Sequence, residues 1–178
     1  MTLQEGLPRL ALRSDTGASL DTLAERYLRE YLDKIELAVA DLDEAAMWQR
    51  SGPGTNSVAN LILHLCGNLS LWVLAGLDGQ PFVRDRAAEF SAHETADKGE
   101  LLTRLGAIVA ESRRVIASLD AARMDAALDV QGYRTDGRGV VVHVVEHMSY
   151  HCGQIVVLAK QALSSSSGLE FYPHHSRE

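Results

Sequence analysis

Apolar residues recur three and four apart over four long stretches of the chain, and alternation of useful length occurs nowhere. From Leu20 to Leu42 they occupy Leu20, Ala24, Tyr27, Tyr31, Ile35, Ala38 and Leu42. That period predicts an amphipathic helix with Ser19 as its cap. Glu25, Arg26, Arg29, Glu30, Asp33 and Glu36 fill its polar face. Ser51-Gly52-Pro53-Gly54-Thr55 reads as a turn. A second helix is predicted from about Ser57 to Ala75, capped by Thr55 or Asn56. A third spans Asp97 to Leu119, with Leu101, Leu105, Ile108, Val109, Ser112, Val115, Ile116 and Leu119 on its apolar face. A fourth runs from Arg138 to Leu163, capped by Thr135 or Asp136. The β-branched pairs Val140–Val142 and Val156–Val157 sit inside its helical period.

The connecting stretches are less regular. Pro81 to Ala96 is charged and weakly periodic, so it reads as a long loop or a short helix. Residues 120–136 read as a helical turn followed by a polar loop. Four helices of this length predict an all-α fold, a four-helix bundle over residues 18–163. Residues 1–17 form an irregular lead-in, and Ser164 to Gly168 begins a flexible tail over 164–178.

Composition narrows the class. The 178 residues are 46% hydrophobic and 23% charged, which suits one globular domain with a sizeable core. Lys and Arg number 17 against 24 Asp and Glu, a net charge of −7. An acidic chain without a basic block predicts no nucleic-acid or anionic-membrane partner. Met1 to Leu12 lacks the apolar run of a signal peptide. Leu61 to Leu77 falls about one residue short of a membrane span and contains His64, Asn68 and Ser70. The two cysteines, Cys66 and Cys152, build no disulfide framework and suit a reducing, cytoplasmic setting.

Histidine changes the picture most. Of seven, four lie inside apolar helical segments: His64, His143, His147 and His151. The last three are spaced by four, so neighbours share a helix face and can chelate one ion. His143 and His151 cannot share one ion, because eight residues rise roughly 12 Å while metal–nitrogen bonds are about 2 Å. At about 100° per residue, with His147 at zero, His151 lies near +40° and His143 near −40°. Val144, Met148, Ile155, Leu158, Ala159 and Ala162 lie between about +20° and +120°. His151 therefore points inward, His147 marks the edge of the stripe, and His143 leans toward solvent. On the second helix His64 sits beside the stripe marked by Leu61 and Trp72. A set of His64, His147 and His151 leaves a position open for water or substrate, as catalytic sites do.

Other motifs are missing. His93-Glu94-Thr95-Ala96-Asp97 only grazes the His-Glu-x-x-His pattern, in a loop. There are no paired Glu-x-x-His motifs of ferritin-like bundles, no P-loop, no Gly-x-Gly-x-x-Gly and no Gly-x-Ser-x-Gly.

His147-Met-Ser-Tyr-His151-Cys-Gly-Gln154-Ile155 resembles the His-x-x-x-His-x-Gly-Gln-Ile run in the last helix of the DinB-like superfamily of bacterial four-helix-bundle metalloproteins. Ser57-Val-Ala-Asn-Leu-Ile-Leu-His64 resembles the segment carrying that family's first metal histidine. Arg84-Asp85-Arg86 followed by Phe90 is similar to one branch of it. The resemblance covers roughly residues 20–163. It implies a bundle, often a homodimer, with His64, His147 and His151 holding one divalent ion: nickel, zinc or iron. It also implies a small-molecule substrate. Some relatives are transferases or isomerases that use low-molecular-weight thiols.

Neighbouring residues acquire expected roles. Gln154, within about 20° of His147, is a candidate to hold a histidine tautomer or a metal-bound water. Asn68 is a substrate candidate or a buried packing amide. His143 is an outer partner of the site or a surface residue. Tyr27 and Tyr31 read as core, Trp48 and Trp72 as core or interface, Glu146 as a solvated charge, and both cysteines as small core residues. No side chain stands out as a general base, so hydrolysis is the weaker expectation. Thiol transfer is the stronger one, because a metal itself activates a bound thiolate. The alternative is a non-catalytic bundle that binds metal or a small ligand.

Overall fold

The computed structural model describes residues 16–163. The predicted tail, nearly all of the lead-in, and His174 and His175 lie outside them.

Four long helices form the body: α1 (Leu20–Val39), α3 (Val58–Leu69), α5 (Lys98–Ala117) and α7 (Gly137–Ala162). Helix α3 continues through Ser70–Ala75 as a π-helix, closed by Gly76 N–H donating to the Leu71 carbonyl. Between them lie the short helices α2 (Glu44–Trp48), α4 (Arg86–Ser91) and α6 (Ala121–Asp125). Helix α1 packs on α5 and α7, and α3 packs on the same two. Around the bundle the order is therefore α1-α5-α3-α7, with α1 and α3 on one diagonal. The α1–α3 and α5–α7 connections carry α2 and α6, and the α3–α5 connection carries α4.

The caps explain where the helices start. Ser57, not Thr55 or Asn56, caps α3. Ser57 Oγ accepts from Asn60 N–H, and Asn60 Oδ1 accepts from Ser57 N–H. Thr55 is occupied elsewhere, its Oγ1 closing the preceding turn on Gly52. Asp97 and Glu100 make the same reciprocal box at α5. Asp136, rather than Thr135, caps α7 by accepting from Gly139 N–H. Ser19 occupies the α1 cap position, but its hydroxyl meets Thr22 Oγ1 instead of a backbone N–H.

Two expectations are corrected. On α1 the fully buried stripe is Ala24, Leu28, Leu32, Ile35, Ala38 and Val39. Tyr27 and Tyr31 lie beside it, half-buried and stacked on one another. Second, the polar loop before α7 is a hairpin of β1 (Ala127–Val130) and β2 (Tyr133–Asp136), with Ala127 opposite Asp136. Gln131 and Gly132 turn it with φ of 54° and 79°, as a two-residue primed turn requires. Pro81–Ala96 follows the second of its two readings, since it contains the short helix α4, capped by Asp85.

One described helical stretch, Val58–Ala75, is long and apolar enough to cross a membrane, but 89% of it is buried inside the bundle. Flanked by α5 and α7, it is apolar because it is core.

Candidate metal centre

Helices α3 and α7 bring His64, His147 and His151 together. One nitrogen from each lies within 4.8 Å of the others. His147 Nε2 is 3.0 Å from His64 Nε2. The His147 and His151 rings, one turn apart on α7, meet edge to face with centroids 4.5 Å apart. His64 and His151 are buried, at 4% and 8% exposure, and His147 is half-buried.

Two of the rings have their remaining nitrogen engaged. His64 Nδ1–H donates to Glu89 Oε2 at 2.9 Å, leaving Nε2 to face the cluster. His151 Nδ1–H donates to Gln154 Oε1 at 2.7 Å, leaving its Nε2 free. Gln154 thus holds a tautomer, but that of His151 rather than His147.

The electrostatics keep the His147 and His151 rings neutral. Burial, reinforced by His151, His64 and His143, pushes His147 down to about 3. Burial also lowers His151, against the opposing pull of Gln154. Neutral imidazoles with converging lone pairs are the form that binds a divalent ion. At about 2.0–2.1 Å per bond, two ligands of one ion lie at most about 4.2 Å apart. The nitrogens, all within 4.8 Å of one another, lie close to that limit, so the donor set fits an ion.

His143 does not lean into solvent. Its ring stacks on Trp72, with centroids 3.9 Å apart, and its Nε2 accepts from Asn68 Nδ2 at 3.2 Å. Trp72 comes from the π-helical extension of α3, and its Nε1–H donates to Gln131 Oε1 at the hairpin tip. The helical wheel of α7 alone could not foresee this cover. Asn68 therefore serves as a buried partner of His143. Burial lowers His143 as well.

Cys66 and Cys152 are free, buried and outside the triad. Burial pushes their thiols up to about 12 and about 11, so neither is a reactive thiolate. His93 is exposed beside Glu94 and takes no part. A surface depression of about 460 Å³ lined by Trp48, Gln49, His93 and Ala162, among others, includes none of the triad.

Two residues at the site escape the sequence reading. Glu89 on α4 is 8% exposed and accepts from Arg84 Nε–H at 2.6 Å and Nη2–H at 2.8 Å, as well as from His64. Burial works to raise its carboxyl, but the hydrogen bonds from His64 and Arg84 outweigh that and hold it below the usual range. Phe90 packs on the His64 ring at 4.7 Å, and the Arg86 guanidinium lies over Phe90. The sequence signal was the Arg84-Asp85-Arg86…Phe90 run, noted for its resemblance alone. Among exposed charges, Glu89 carried no mark of burial.

Solved structures with this architecture include a conserved protein from Enterococcus faecalis, with a TM-score of 0.67 and 16% identity, matching 86% of this chain and 99% of that one. A DinB-like protein from Bacillus cereus aligns with a TM-score of 0.62 and 15% identity over 82% and 97% of the two chains. YfiT from Bacillus subtilis, described as "a probable metal-dependent hydrolase with an unusual four-helix bundle topology", aligns with a TM-score of 0.66 and 16% identity over 92% and 97%. No curated protein matches the sequence significantly. The chain has the four-helix-bundle fold that these solved structures share. It belongs to the mycothiol-S-transferase family, whose sequence model matches residues 23–162.

Proposed function

We propose that this chain is a divalent-metal-dependent transferase that joins a low-molecular-weight thiol to an electrophilic small molecule. The observation that carries the reading is the convergence of three imidazoles, two of them locked by a partner on the far ring nitrogen. His64, His147 and His151 would hold the ion. A divalent ion there lowers the pKa of a bound thiol, supplying thiolate near neutral pH. The family match supports the thiol as co-substrate.

The protein's own groups have separable tasks. Gln154 keeps His151 in the tautomer that turns Nε2 inward. Burial of His64 and His151 excludes water from one side of the cluster. Trp72 and His143 stack beside His147 and pack that flank of the cluster. The chain's own thiols, buried and raised, do not compete as nucleophiles.

Elemental analysis of tag-free protein beside His147→Ala tests the metal. Stoichiometric ion in the parent and none in the variant is the expected result. A parent that stays empty after incubation with Zn²⁺, Ni²⁺ or Fe²⁺ ends the proposal. A screen of thiols against electrophiles with the loaded parent then tests the transfer. Consumption of thiol and electrophile in equal amounts is expected, and a loaded protein inert to every pair favours a binding role.

A further inference from the structure

The cluster of Glu89, Arg84 and Gly67 behind His64 is poorly explained as a device for stability. Glu89 and Arg84 are an ion pair with side chains only 9% and 6% exposed. Burying such a pair costs desolvation that well-packed apolar residues would avoid. Nor is the pair needed to fasten α4. Asn60 Nδ2–H₂ already donates to the carbonyls of Glu89 and Ala92, at 3.0 Å each. Arg50 donates to the carbonyls of Phe90 and Ala92.

The backbone of α3 is shaped to admit the carboxylate. A Cβ on Gly67 would overlap Glu89 Oε1, so a glycine here leaves room for the carboxylate in the place from which it reaches His64. Arg84 closes the arrangement from outside. Its Nη2 lies 3.1 Å from His64 Nδ1, but that nitrogen already gives its proton to Glu89. Arg84 Nη2–H therefore donates to Glu89 Oε2 and toward the His64 carbonyl. One carboxylate is thus fixed by a guanidinium and aimed at a single imidazole nitrogen.

We infer that Glu89, held by Arg84 and admitted by Gly67, is the positioning residue of the metal centre: it sets His64 as the Nδ1–H tautomer and makes its Nε2 a stronger donor to a divalent cation. The inference rests on the reading of His64, His147 and His151 as ligands. A carboxylate behind a ligand imidazole fixes the ring and raises its basicity, and its loss typically weakens metal binding about 10–100-fold. Arg84 serves a different end, since without it His64 would be the only side chain bonded to the buried carboxylate.

The test uses the full chain and Zn²⁺. Two variants are needed: Glu89→Gln, and Arg84→Met combined with Glu89→Gln. The double variant leaves no unpaired buried charge and keeps an amide oxygen to accept from His64. Zn²⁺ affinity is read by competition with a chromophoric chelator, and the fold by urea midpoint. We expect affinity about 10–100-fold weaker in both variants, with the double variant unfolding close to the parent. The visible spectrum of bound Co²⁺ should shift, which loss of packing alone would not cause. Nitrogen NMR of the metal-free parent, independent of any variant, should show His64 protonated at Nδ1. A His64 protonated at Nε2, or folded variants binding Zn²⁺ within twofold of the parent, overturns this inference alone. A parent that takes up no ion overturns the metal reading and this inference with it.

Discussion

His64 Nε2 and His147 Nε2 face each other at 3.0 Å, although the two residues are 83 positions apart in the chain. His64 presents the nitrogen that the rest of the structure leaves to the cluster. His64 has its other nitrogen on Glu89, and His147 is kept neutral by its surroundings. Two imidazoles this close disfavour protonation of both, and that has consequences for the empty protein and for the loaded one.

The metal-free protein should lose stability in mild acid. His147 is held at about 3 when folded, by burial first and by His151 next, against an ordinary value of 6.5 when unfolded. Between those values the unfolded chain binds a proton that the folded chain does not, so stability falls as pH drops from about 6.5 toward 3. His151 and His143 are displaced the same way. The depressed Glu89 adds a loss below the ordinary carboxylate range. The urea midpoint at pH 5 should lie below that at pH 7.5, and His147→Gln should narrow the gap. Equal midpoints for the parent would mean the ring is not held neutral.

An ion that binds only the folded chain should stabilise it by mass action. At 100 times its dissociation constant the gain is about 2.7 kcal/mol, several degrees in Tm for a domain of this size. Zn²⁺ should raise Tm in the parent and leave His151→Ala unmoved. A rise of equal size in that variant would place binding elsewhere.

Gly67→Ala should damage the site more than a small helical substitution ordinarily would. Alanine is intrinsically the better helix former by about 1 kcal/mol, so an open position would be stabilised. Here the new Cβ collides with Glu89, and the Glu89–His64 hydrogen bond must break or α4 must shift. We expect destabilisation of about 1–3 kcal/mol by chemical denaturation, together with weaker Zn²⁺ uptake. A variant as stable as the parent, with uptake unchanged, would contradict this geometry.

The corrected stripe on α1 makes a paired prediction. Leu28 is fully buried, whereas Tyr27 is half-buried beside it. Leu28→Ala should cost about 2–5 kcal/mol, and Tyr27→Ala clearly less, in paired urea titrations. The reverse order would restore the stripe expected from spacing alone.

Much of this was legible in the residues. The four long helices followed from apolar spacing, and the triad from wheel angles, because both depend on periodicity within one helix. What escaped depended on contacts between elements. Tyr27 and Leu28 both fit a three-and-four spacing, and only the positions of α5 and α7 decide between them. Trp72 covers His143 from another helix, beyond the reach of any wheel drawn on α7. Four-residue strands such as Ala127–Val130 are too short for alternation to register. Glu89 sits in a six-residue helix among charges, and its burial is created by Gly67 and Arg84.

The order of helices around the bundle bears on when the site can exist. His64, Arg84 and Glu89 lie within 25 residues of each other, so their hydrogen bonds belong to the first half of the chain. The other two imidazoles arrive only with α7, which ends the described chain. A chain without α7 has one imidazole of the three. Ion capture at the triad would therefore distinguish molecules in which α7 has docked from those in which it has not, and metal uptake could serve as a readout of the seating of that helix.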